Sequence, residues 1–175
     1  MGHTITQGDL VPPLDQRSRI LIVAAAVVAV AISAMLFVPS AADGSQTITL
    51  YKSPTCGCCG DWADRMASQG FRIDNNPTVN MASVFAEHGI PREFQSCHLA
   101  VVGDYVVVGH VPPAEVIRLL ESGEPVKGLT APGMPAGSPG MEMPDGRTDP
   151  YQVLVLHQNG GVRPLARYQG NTRLD

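Results

Sequence analysis

The sequence predicts an α/β fold, a sheet with flanking helices, extended by a C-terminal β-hairpin and preceded by an N-terminal hydrophobic helix. Two observations predict it. From Thr47 onward, short runs rich in β-formers alternate with helix-like runs in the order β, cysteine loop, α, β, α, β, β, α. Glycine, proline and asparagine stand at the boundaries of these runs, where turns and helix ends need them.

The first strand is Thr47-Ile48-Thr49-Leu50-Tyr51, which alternates and is rich in β-formers. Asp61 to Gln69 reads as a helix with Trp62 and Met66 on one face and Gly70 just past its end. Phe71-Arg72-Ile73 follows as the second strand. Asn80 suits the cap of a short helix carrying Met81, Val84, Phe85 and His88, closed by Gly89. Residues 99–102 and 105–108 flank Gly103-Asp104, a two-residue hairpin signal. Pro112 and Pro113 open a helix containing Val116, Ile117, Leu119 and Leu120 that stops near Gly123. A parallel βαβ half, a β-hairpin and a closing helix make up the thioredoxin-like arrangement, in which a Cys-x-x-Cys sits at the first strand-to-helix junction. Cys56 and Cys59 hold those positions, with Cys58 as an extra thiol.

Ala131 to Pro144 contains Pro132, Gly133, Met134, Pro135, Gly137, Pro139, Gly140, Met141 and Met143, and it has no apolar period. It is expected to be a long loop outside the core. Residues 151–156 and 162–166 flank Gln158-Asn159-Gly160-Gly161 and read as a terminal hairpin that extends the sheet or covers its edge.

The N-terminus stands apart from this domain. Residues 20–38 form an apolar run interrupted only by Ser33, preceded by Arg17 and Arg19 and followed by Ser40-Ala41-Ala42. Residues 1–42 are therefore a signal peptide cleaved after Ala42 or a retained membrane anchor, and both fates stay open. In either case the positive flank is N-terminal and residues 43–175 are exported. The chain has 12 Lys and Arg against 16 Asp and Glu, without a basic run, which argues against a nucleic-acid partner.

Four cysteines in an exported protein ordinarily read as two structural disulfides. Here Cys58 and Cys59 are adjacent and only Cys97 is distant, so at most one long-range staple is available. Cys56, Cys58 and Cys59 lie instead at a helix N-terminus, where free N–H groups and the macrodipole favour thiolate. Three uses follow. A dithiol exchanges disulfides, with Cys56 attacking and Cys59 resolving. A single tetrahedral zinc fits poorly, because adjacent thiols are awkward on one ion. Thiolates at this spacing suit bridged Cu(I), a soft ion that accepts low coordination.

Cys97-His98 precedes the third strand, the junction that faces the Cys-x-x-Cys loop in a thioredoxin-like fold. It is read as a fourth thiol and an imidazole for the same site. His110 ends the hairpin's second strand and is read as a supporting ligand. Met66 and Met81 fall on helix faces and read as core, whereas Met134 and Met141 lie in the Pro/Gly segment, where a thioether is a soft, neutral donor. His88, in the last turn of a short helix, is not read as a ligand.

Four stretches in order, residues 51–59, Ser96-Cys97-His98, Gly109-His110-Val111-Pro112 and residues 132–142, carry a resemblance. From about Thr47 to Tyr151 the chain resembles the exported family of unknown function that includes the CopG-type copper-resistance proteins. The resemblance implies a thioredoxin-like domain, copper handling in the periplasm and a cysteine-rich, redox-capable copper centre. Residues and resemblance together give a periplasmic copper-binding protein with a Cu(I) centre. Its ligands are Cys56, Cys58, Cys59 and Cys97, supported by His98 and His110, with Met134 and Met141 further out. Copper ions and other periplasmic copper-handling proteins are its expected partners, and the membrane is met only through the N-terminal segment. The rival reading is a thiol-disulfide oxidoreductase using Cys56 and Cys59.

Overall fold

The computed structural model describes residues 46–175. The expected signal peptide or anchor, residues 1–42, lies outside the described residues. Among the described residues no helix is long and apolar enough to cross a membrane.

Eight strands form one sheet in the order β2-β1-β3-β4-β5-β6-β7-β8. They are β1 (Thr47–Lys52), β2 (Arg72–Pro77), β3 (His98–Val102), β4 (Tyr105–Gly109), β5 (Gly128–Ala131), β6 (Pro150–Leu156), β7 (Val162–Gln169) and β8 (Thr172–Arg173). Three α-helices accompany them: α1 (Gly57–Ser68), α2 (Met81–Glu87) and α3 (Pro113–Ser122). β1 runs parallel to β2 and antiparallel to β3, β3 is antiparallel to β4, and β4 is parallel to β5. Strands β5 to β8 then continue antiparallel, so the terminal hairpin extends the sheet.

Alternation along the strands sends side chains to two faces. Ile48, Leu50, Ala100, Val102 and Val107 pack with Trp62 and Met66 of α1 and Val116 and Leu119 of α3. Leu99, Val106 and Val108 pack on the other face with Val84 and Phe85 of α2. The helix ends follow the sequence signals. The Asn80 side chain accepts from the Ser83 N–H at the start of α2, and Gly123 closes α3 in the left-handed conformation.

Three expectations are corrected. Helix α1 begins at Gly57 rather than Asp61, with Cys56 as its N-cap, so Cys58 and Cys59 are helical residues of the first turn. Strand β2 runs on to Pro77, a stretch too polar to show as a strand because its side chains are mostly exposed on a sheet edge. Strand β5 was not expected at all. Its four residues are all buried, and Gly128 lets it lie close to β4, since a Cβ there would fall 1.8 Å from the Val106 carbonyl oxygen.

The Pro/Gly segment is also more buried than expected. Ala131 ends β5, and Ala136 to Gly140 are all buried. Only the flanks around Met134 and beyond Met141 meet solvent freely.

Candidate metal centre

Sheet register explains why residues distant in sequence converge. Lys52, the last residue of β1, pairs with His98, the first of β3. The loop leaving β1 and the Cys97-His98 pair entering β3 therefore share one end of the sheet. Gly109, the last residue of β4, pairs with Ala131, the last of β5. That pairing brings His110 and the start of the Pro/Gly segment to the same end.

The loop from β1 closes with the Cys56 N–H on the Ser53 carbonyl oxygen at 3.1 Å, and α1 starts at once. Cys56 and Cys59 are joined by a disulfide, while Cys58 and Cys97 are free thiols. Among the described residues no long-range disulfide is present. The four cysteine sulfurs lie within 4.8 Å of one another, so adjacent Cys58 and Cys59 do converge. The first helical turn makes that convergence ordinary, because the N-cap and the second and third helical residues ring the helix start. Cys58 Sγ is 3.5 Å from Cys56 Sγ.

Cys97, His98 and His110 make a second group with ligand atoms within 4.8 Å of one another. His98 and His110 are both fully buried. Cys97 Sγ lies 3.3 Å from His98 Nδ1 and 3.0 Å from His110 Nε2. His110 Nδ1 is 2.8 Å from the Pro139 carbonyl oxygen. A carbonyl only accepts, so Nδ1 carries the hydrogen, and the neutral ring turns the Nε2 lone pair toward sulfur. His98 lies beside Trp62 with ring centroids 4.6 Å apart and ring planes tilted by 42°, and Nδ1 is the nitrogen it turns toward the Cys97 sulfur. A buried imidazole nitrogen set against a thiol in this way suits a metal-ligating role.

Burial keeps Cys97 and the two imidazoles in their neutral forms. Burial, and next the Cys58 charge, push the Cys97 thiol up to about 12. Burial first, then the nearby His110, lower His98 to about 3, and burial lowers His110 as well. Both imidazoles are thus neutral at ordinary pH, and a cation held by Cys97 would have to displace its thiol proton.

The structure gathers six of the eight candidate ligands: Cys56, Cys58, Cys59, Cys97, His98 and His110. Met134 is 58% exposed, beside Pro132, Pro135 and the start of β6. Met141 is half-buried next to the buried part of its loop. Sequence reasoning missed three contributors. Lys52 Nζ donates to the Cys56 carbonyl oxygen at 3.4 Å, placing a cation beside the thiols. Ser96 Oγ donates to the Gly133 carbonyl oxygen, which anchors the Pro/Gly loop. The Pro139 carbonyl orients His110, and no side-chain pattern betrays a backbone acceptor.

Fold and site define the class: an α/β protein whose thiols and neutral imidazoles, gathered at one end of the sheet, offer a soft-metal and redox-capable centre. Residues 94–141 match the family model described as a protein of unknown function, DUF411. Two solved structures of a copper resistance protein, CopG, are similar to this chain. One, form 2, has 38% sequence identity and a TM-score of 0.67, with 70% of this chain and 98% of that one covered. The other, form 1, has 40% identity and a TM-score of 0.66, with 71% and 98% covered. A search of the curated proteins returns no match. The chain belongs to the DUF411 family, which includes the CopG-type copper-resistance proteins.

Proposed function

We propose that this domain binds copper as Cu(I) and serves copper tolerance or copper redox handling in the periplasm. The observation that carries the reading is the convergence of four sulfurs, with two buried imidazoles around Cys97. Cys56, Cys58, Cys59 and Cys97 supply thiolates, His98 and His110 supply nitrogen, and Met134 and Met141 give softer outer contacts. Likeness to copper resistance proteins supports copper over other soft ions. The run β2-β1-β3-β4 with its helices supports a thioredoxin-like reading of this half of the sheet. Periplasmic location and contact with other copper-handling proteins rest on the sequence, through an N-terminal hydrophobic segment that would send residues 43–175 out of the cytoplasm, whether cleaved or retained as an inner-membrane anchor.

The disulfide gives the redox half of the proposal. With Cys56 and Cys59 joined, two sulfurs are withheld and Cys58, Cys97, His98 and His110 remain. Two electrons and two protons reopen the bond and restore four thiols. In the reverse direction, forming the bond releases two electrons and two protons, which reduces two Cu(II) to two Cu(I). Anaerobic metal analysis with copper-edge X-ray absorption, before and after reduction of the disulfide, tests this. More than one Cu(I) per chain with mainly sulfur ligation is expected in the reduced protein. Tight binding of one zinc that copper does not displace overturns the reading.

One observation favours a second reading. A Cys56–Cys59 bond at a helix N-terminus is the arrangement of a thiol-disulfide oxidoreductase. Insulin reduction by metal-free protein, undiminished by Cys58→Ser, would favour it.

A further inference from the structure

The Pro/Gly loop meets the centre through backbone atoms, and one side chain ties that backbone down. Gly140 follows Pro139, whose carbonyl orients His110. The Gly140 N–H donates to both carboxylate oxygens of Glu142, at 3.1 and 3.3 Å. The same carboxylate accepts from Arg65 Nη2 of α1 at 2.7 Å and from Asn171 Nδ2, between β7 and β8, at 3.1 Å. Glu142 therefore joins the loop to the helix that carries the thiols and to the terminal hairpin.

The loop is pressed against that helix. A Cβ on Gly140 would lie 2.6 Å from the Trp62 backbone nitrogen and 2.8 Å from the Cys58 carbonyl oxygen. Gly140 also has φ of +83°, a conformation open mainly to glycine. So close an approach needs a local anchor, and the Glu142 carboxylate is the side chain that caps the Gly140 N–H.

We propose that Glu142 is a positioning residue for the centre: by accepting from the Gly140 N–H it holds the Pro139 carbonyl on His110 Nδ1, and so presents His110 Nε2 bare toward the metal. This rests on the copper reading above. A histidine tautomer is set by the hydrogen bond its other nitrogen makes, so loss of the carbonyl frees the ring to move its proton to Nε2. A plain surface ion pair with Arg65 would do none of this and would be worth little.

The test reads the His110 tautomer in reduced, metal-free protein from its ring nitrogen shifts, assigned with His110→Gln, beside Cu(I) competition against a chelator. Wild type is expected to carry the Nδ1 hydrogen. Glu142→Ala should give mixed tautomers and about tenfold weaker Cu(I) binding. Glu142→Gln keeps an acceptor for Gly140 and should restore both. Arg65→Met removes only the ion pair and should leave the tautomer in place. A wild-type ring protonated on Nε2 overturns the proposal without any variant. So does Glu142→Ala with a wild-type tautomer, or Glu142→Gln behaving like Glu142→Ala. The tautomer arm needs no metal. A tautomer shift in Glu142→Ala alongside a wild type that binds no copper would sustain the positioning role and sink the copper reading.

Discussion

Cys97 Sγ and His110 Nε2 lie 3.0 Å apart although the two residues are thirteen positions apart in the chain. Cys97 stands just before β3 and His110 just after β4, so the β3–β4 hairpin brings its two ends together. The thiol donates to the Nε2 lone pair, and a metal ion held here under the proposed function would take the place of that proton.

Cys97 is the junction between the two ligand groups, since it belongs to both. Cys97→Ser should lower copper loading and remove sulfur from the coordination shell while the domain stays folded. Metal analysis and X-ray absorption on the purified variant check the loading, and circular dichroism checks the fold. Unchanged loading with the same sulfur ligation would return Cys97 to a packing role.

The methionine prediction turns on chemistry rather than bulk. Met134 is exposed and Met141 half-buried, so replacing both by Leu changes packing little. The double variant should keep thiolate-bound copper and lose affinity for, or exchange of, an additional ion. Superimposable Cu(I) titrations and equal exchange rates for variant and wild type would count against any role for the thioethers.

Acid should weaken the metal-free, disulfide-bonded domain well before its carboxylates titrate. His98 is held at about 3 by burial, then by His110, and its unfolded value is about 6.5. Between those values the unfolded chain binds a proton that the native chain does not, so stability falls as pH falls. The contribution is fully present above about 6.5 and is lost toward about 3. His110 is lowered by burial and acts in the same direction. One such histidine accounts for up to about 2 kcal/mol between pH 6.5 and 5. Urea unfolding at several pH values measures it, and His98→Phe should flatten the profile.

Gly140→Ala should cost about 2 kcal/mol or more, from its positive φ and the collision with the α1 backbone at Cys58 and Trp62. Trp62 is the chain's only tryptophan and packs beside the His98 ring, so its fluorescence reports this end of the sheet directly. Chemical denaturation gives the stability, and the native emission shows whether the loop has lifted. A variant with wild-type stability and emission would mean the loop yields freely there.

Much of the fold was legible because local chemistry settles it. Asn80, Gly103-Asp104, Pro113 and Gly123 mark caps and turns through their own backbone preferences, and each does so in the structure. Strand β5 was not legible, because Gly128 to Ala131 is short and gets its strand character from burial between β4 and β6. The later half of β2 was hidden for the opposite reason, its side chains being polar on an exposed edge.

The sequence by itself determined which residues can do chemistry: three thiols within four positions, Cys97-His98 and His110 at strand ends, and thioethers in a segment without a core period. Thiolate and imidazole chemistry is a property of the side chains and needs no fold to be read. Only the tertiary structure decided how they act together. Pairing of Lys52 with His98 and of Gly109 with Ala131 set the convergence. The disulfide separated bridged from free thiols, and a backbone carbonyl at Pro139 fixed the His110 tautomer. Register and backbone hydrogen bonds are relations between distant residues, and such relations come into being only when the chain closes on itself.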